Sequence, residues 1–139
     1  MIRAINEVRP RSGSDATILV AAYAFTSLPI ARALITAHQR GVKVAVVADA
    51  TENDKPGSKV RMLTESGIPV RIDNRLKMLH DKFMVLDGTS VQTGSFNYTK
   101  AAASNEHAEN VCVFRHSPRM AAAFTGAWQR LWRESVPSS

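Results

Sequence analysis

The chain has 139 residues, 45% of them hydrophobic and 22% charged, and its 18 basic and 12 acidic side chains leave a net charge of +6. That length suits one domain with a core of its own, and the positive surplus favours polyanions, either nucleic acid or an anionic membrane surface. One cysteine, Cys112, excludes an internal disulfide and a cysteine-built metal site, and no apolar run reaches the roughly 18 residues a membrane-spanning helix needs.

In chain order, Ile2, Ile5 and Val8 share a helical face, predicting an amphipathic helix within 2–11 that stops near Pro10. After a turn at Ser12-Gly13-Ser14-Asp15, the run TILVAAY (17–23) reads as a buried strand. Thr26 or Ser27 caps a second helix, with Pro29 in its first turn, Ile30, Ala33, Leu34 and Ala37 inward, and Gly41 at its end. VKVAVV (42–47) is the clearest strand, and 49–57 reads as a polar loop. Ser58 is expected to cap a helix through Glu65 that stops at Gly67, and 68–72 is a short strand. Arg71, Arg75 and Lys77 then place three positive charges ahead of His80, which suits a solvated loop and the gathering of phosphate equally.

Residues 82–86 and 89–93 read as strands joined at Asp87-Gly88, since an Asp-Gly pair between apolar runs favours a hairpin turn. A helical turn is expected over 98–103 and a strand over 108–115, in which Cys112 is a buried small hydrophobe. A last helix over 118–133 points Met120, Phe124, Ala127, Trp128 and Leu131 inward. Strands and helices alternate at first and strands then run consecutively. The expected fold is α/β, a mixed β-sheet flanked by helices on both faces, in a single domain covering 1–139.

The chemistry concentrates between His80 and Asn110. His80 and Lys82, two apart along an extended chain, can face one cleft. Ser95 and Asn97 repeat that spacing beside Gly94, and with the Lys82 ammonium they make a cradle for phosphate oxygens, while Gly94 lets backbone approach a ligand. Asp87 has the opposite parity and opens the turn, which assigns it a structural role. Glu109 is the carboxylate expected to accept the Nδ1–H of His80 and leave Nε2 as nucleophile. His38, His107 and His116 read as surface residues.

The ordered set His-x-Lys-x4-Asp-x6-Gly-Ser-x-Asn resembles the HKD signature of the phospholipase D superfamily. The stretches AAYAFTSLPIARAL, GVKVAVVAD, SGIPVRIDN, HDKFMVLDG and TGSFNYTKAA, with Trp128 and Trp132, look like its small Nuc-type bacterial endonucleases from about residue 2 to 133. The resemblance implies that one motif histidine attacks phosphorus to give a phosphohistidine while a second protonates the leaving oxygen. Entering and leaving groups sit on opposite sides of phosphorus, so one His80 cannot serve both roles and a two-fold homodimer is implied. Asp81, Asp87 and Glu109 lack the spacing of a two-metal cluster, so the expectation is catalysis with no metal or other cofactor, and a bell-shaped pH profile.

The expected substrate is nucleic acid cut without sequence preference, DNA before RNA, because contacts to phosphate alone carry no sequence information. The same chemistry on phospholipid and an inactive nucleic-acid-binding module are the alternatives. No stable membrane association is expected. The start MIRAINEVRPRSG has no apolar stretch of signal-peptide length, which places the chain as written in the cytoplasm. Nuc-type proteins carry a secretion signal and an extra strand ahead of this point, and a truncated start would make the location periplasmic or secreted.

Overall fold

The computed structural model describes residues 1–11, 15–75, 78–95, 97–99 and 110–138. Helix α1 (Ile2–Glu7) is shorter than its apolar pattern suggests. Pro10 has no N–H to offer the Asn6 carbonyl, and Arg40 takes over the chain end, donating to the Ile5 carbonyl at 2.8 Å and to the Val8 carbonyl at 2.7 Å. Strand β1 (Thr17–Ala22) leads into α2 (Leu28–Gln39), where Ser27 is the N-cap and its Oγ accepts the Ile30 N–H at 3.3 Å. Gly41, at φ +98°, turns the chain into β2 (Lys43–Asp49).

The stretch expected to be a polar loop instead begins with a short helix, α3 (Ala50–Asn53). Asp49 caps it, its Oδ2 accepting the Glu52 N–H at 2.9 Å. Helix α4 (Val60–Glu65) has Lys59 rather than Ser58 as its N-cap residue, although Ser58 Oγ still accepts the Val60 N–H. Strand β3 (Val70–Asp73) and the hairpin strands β4 (Phe83–Leu86) and β5 (Ser90–Gly94) follow. Beyond them come β6 (Val111–Phe114), α5 (Pro118–Glu134) and a two-residue β7 (Val136–Pro137).

Among the described residues seven strands form one mixed sheet in the order β6-β5-β4-β1-β2-β3-β7. The β1-β2-β3 centre is parallel, while β4, β5, β6 and β7 pair antiparallel. Successive residues on a strand face opposite sides, and β1 divides its side chains accordingly. Ile18, Val20 and Ala22 pack with Ile5 of α1, Leu34 of α2 and Leu63 of α4. Ala21 joins Val47, Phe83, Val85 and Val91 under Ala121, Trp128 and Leu131 of α5. The expected α/β architecture, a mixed sheet with helices on both faces, is the one observed.

Two expectations need correction. Cys112 is exposed, because β6 is an edge strand and α5 covers the sheet further in. Arg71 stands in β3 rather than in a solvated loop: it donates to Ser135 Oγ and to the Ser135 carbonyl and lies 5.3 Å from the Trp132 ring centroid, fastening the end of α5 to β3. Tyr98 is itself among the described residues. It is fully buried, forms a bridge with Phe25, and its carbonyl accepts the Thr26 and Ser27 N–H groups at 2.8 Å. Lys77 and most of 98–103 lie outside the described residues.

Candidate active site

Asp87 and Lys82 sit at opposite ends of β4. Asp87 (φ 54°) and Gly88 (φ 66°) are the centre of a turn closed by Thr89 N–H to the Leu86 carbonyl at 3.2 Å, the mirror-image turn whose twist matches a hairpin. The Asp87 carboxylate accepts from Arg11 Nη2 at 2.6 Å, and its N–H donates to the Thr17 carbonyl. These contacts hold the hairpin to the end of β1, away from the motif lysine.

At the other end of β4, His80 and Lys82 lie just ahead of the strand rather than within it. They nevertheless line one cleft of about 600 Å³ together with Gly94 and Ser95. Lys82 is only 8% exposed, whereas His80 is exposed. The Lys82 ammonium donates to the His80 carbonyl at 2.8 Å and stands 3.0 Å from Nδ1 and 3.2 Å from Nε2 of the same residue. Imidazole lone pairs point outward in the ring plane in different directions, so one ammonium cannot be aligned with both; this is one close approach of cation to ring. A buried cation needs such neighbours, and here a carbonyl and an imidazole supply them.

Gly94 sits at φ +145°, and a Cβ built there would lie 2.1 Å from the Asn110 carbonyl oxygen. The β5 and β6 backbones therefore close up where Ser95 N–H donates to the Asn110 carbonyl and Ser95 Oγ accepts the Asn110 N–H, both at 3.0 Å. Gly94→Ala is expected to force β6 away from β5 and to cost about 1–3 kcal/mol from backbone conformation alone, read as a lower denaturant midpoint.

Asn97, expected to complete the cradle, does not line the cleft with the rest, and its Oδ1 is buried without a hydrogen-bond partner. Glu109 and His107 lie outside the described residues. The far wall of the cleft comes from α5, through Ala123, Phe124 and Ala127. Phe124 meets Phe83 edge-on, with ring centroids 5.0 Å apart. Residue order around the motif gave no signal of this wall, although the apolar stripe of α5 was readable. Tyr23, whose ring packs against His80, was also missed. The described residues contain no group of three or more His, Cys, Asp or Glu side chains able to hold a metal, and no helix among them is long and apolar enough to cross a membrane. The arrangement can hold an anion on an ammonium and a hydroxyl while an imidazole nitrogen faces it.

Comparison with known proteins places this geometry in a family. The family model described as "Cardiolipin synthase, PLD-like domain" matches residues 4–132. Among curated proteins the chain is similar to the mitochondrial cardiolipin hydrolase of Xenopus laevis, 35% identical over 128 residues, covering 91% of this chain and 60% of the relative. It is also 35% identical over 116 residues to that of Mus musculus, covering 84% of this chain and 52% of the relative. The chain thus spans a little over half the length of these curated relatives. Among solved structures it is similar to Nuc, a phospholipase D family member from Salmonella typhimurium, at 35% identity and a TM-score of 0.90, covering 99% of this chain and 87% of that one. NucT from Helicobacter pylori shares the fold at 22% identity and a TM-score of 0.84.

Proposed function

The chain belongs to the phospholipase D superfamily and is of its Nuc type, and from that premise we propose that it is a metal-independent phosphodiesterase, a non-specific endonuclease acting on nucleic acid. One observation carries the reading: the His80 imidazole and the Lys82 ammonium meet at 3.0 Å in the cleft that Gly94 and Ser95 also line. In the reaction, His80 Nε2 attacks phosphorus, a P–N bond forms and the P–O bond to the leaving group breaks. His80 of a second protomer gives its proton to the departing oxygen. Water then attacks phosphorus on the same line, that second histidine takes the water's proton, and the P–N bond breaks to release the phosphate product.

Lys82 and Ser95, which line the cleft, bind the non-bridging oxygens, and Glu109 holds the Nδ1–H of His80. A homodimer with its two-fold axis at the cleft supplies the second histidine. Net charge of +6 suits a polyanionic substrate, DNA first and RNA second.

The test is nicking of supercoiled plasmid in excess EDTA, with cardiolipin and phosphatidylcholine vesicles assayed alongside. Undiminished nicking in chelator is the expected result, and loss of nicking in EDTA would end the metal-free mechanism. Phospholipid hydrolysis is the second reading, favoured by the family description and by the names of the curated relatives. Lipid turnover without plasmid cleavage would put it in first place.

A further inference from the structure

Tyr23, the residue after β1, touches both groups that the proposed reaction uses. Its ring centroid is 4.8 Å from that of His80, with the planes 55° apart, and Lys82 Nζ lies 5.5 Å from the Tyr23 centroid. The ring is itself held. Its hydroxyl donates to Glu52 Oε1 at 2.9 Å, and Lys55 Nζ donates to the same oxygen at 2.6 Å. The Tyr23 carbonyl accepts from Asn53 Nδ2 at 2.7 Å. Asp49, 3% exposed, uses its second carboxylate oxygen to accept the Leu79 N–H at 2.7 Å, one residue before His80. The four-residue α3 and its cap therefore fasten both the ring beside the imidazole and the backbone that carries the imidazole.

We propose that Tyr23, anchored through Glu52 on α3, is the positioning residue that fixes the His80 rotamer and steadies the Lys82 ammonium. The inference rests on the assignment of His80 as nucleophile. An exposed histidine has several open rotamers, and in-line attack accepts few of them; a misplacement of about 1 Å can cost on the order of 10²-fold in rate. A ring against one side of the imidazole removes most of that freedom, and its face attracts the neighbouring ammonium. The anchor persists at neutral pH. The Lys55 hydrogen bond holds the Glu52 carboxyl below its usual range, and the bond to Glu52 raises the Tyr23 hydroxyl, so acceptor and donor keep their charge states.

The test compares wild type, Tyr23→Phe and Tyr23→Leu in two ways: cleavage of bis(p-nitrophenyl) phosphate, and NMR three-bond couplings that report the His80 χ1 rotamer. Tyr23→Leu is expected to lower kcat about 10- to 100-fold with KM within twofold, and to turn a single His80 rotamer into an average. Tyr23→Phe keeps the ring but gives up its Glu52 anchor, and is expected to lower kcat only about 2- to 10-fold, with partial averaging of the His80 rotamer. Unchanged couplings in Tyr23→Leu, an unchanged kcat, or a loss expressed in KM alone would overturn the proposal. A wild type that cleaves no phosphodiester would count against the function assigned above, and the couplings would then decide the positioning role by themselves.

Discussion

His80→Ala is expected to abolish plasmid nicking, with a loss in kcat of at least about 10⁴-fold, while the protein keeps its melting temperature within a few degrees. In the proposed mechanism His80 is the covalent nucleophile; its removal would leave only the binding and electrostatic share of catalysis, and phosphate held by Lys82 and Ser95 could not replace the missing P–N bond. The imidazole is exposed and outside the sheet, so its removal opens no cavity in the core. If the active site spans two protomers, mixing His80→Ala with wild type lowers activity more than in proportion to the mutant fraction, because each mixed dimer loses one of two essential histidines. On the proposed two-histidine mechanism the wild-type rate should fall on both sides of a pH optimum, since one histidine would have to be neutral as the other is protonated. Residual nicking by the alanine variant at a tenth of the wild-type rate would remove His80 from the nucleophile's place.

The largest effect on stability is expected at Trp128. It is 6% exposed, reaches from α5 into the core, and stacks on Trp132 with centroids 4.8 Å apart. Its Nε1–H donates to the Val20 carbonyl on β1 at 2.9 Å. Trp128→Ala should cost about 3–5 kcal/mol, the range for deleting a large buried aromatic, and that is a large part of the 5–15 kcal/mol by which a domain is stable. Trp128→Phe keeps much of the packing and gives up the hydrogen bond, at a cost nearer 1 kcal/mol. Urea unfolding of the two variants separates the contributions. Equal midpoints for alanine and phenylalanine would mean that the hydrogen bond, and not the packing of α5, holds that face. Because α5 also forms the far wall of the cleft, Trp128→Ala should lower activity at temperatures where the protein is still folded.

What could be read along the chain was governed by local rules. The 3.6-residue apolar spacing of α2 and α5, the cap at Ser27 and the Asp-Gly turn each follow from backbone geometry over a few neighbouring residues, and the structure keeps all of them. His80 and Lys82 do line one cleft, as their spacing of two suggested, although both stand ahead of β4 rather than on it.

Where the sequence misled, the deciding contact came from far along the chain. Helix α3 forms in a stretch of polar composition because Asp49, Glu52 and Asn53 spend their hydrogen bonds on Leu79, Tyr23 and Phe25, which are distant in sequence. Cys112 is exposed because its strand is at the sheet's edge, and strand order is a property of the whole fold. Arg71 is fastened to Ser135 and Trp132, rather than lying in a solvated loop, because α5 ends beside it. By itself, then, the sequence determined the family, the motif and the elements that short-range geometry dictates. Only the tertiary structure decided which side chains crowd the imidazole, because Tyr23 and His80 come together through the pairing of β1 with β4 and the turn of chain between β2 and α4.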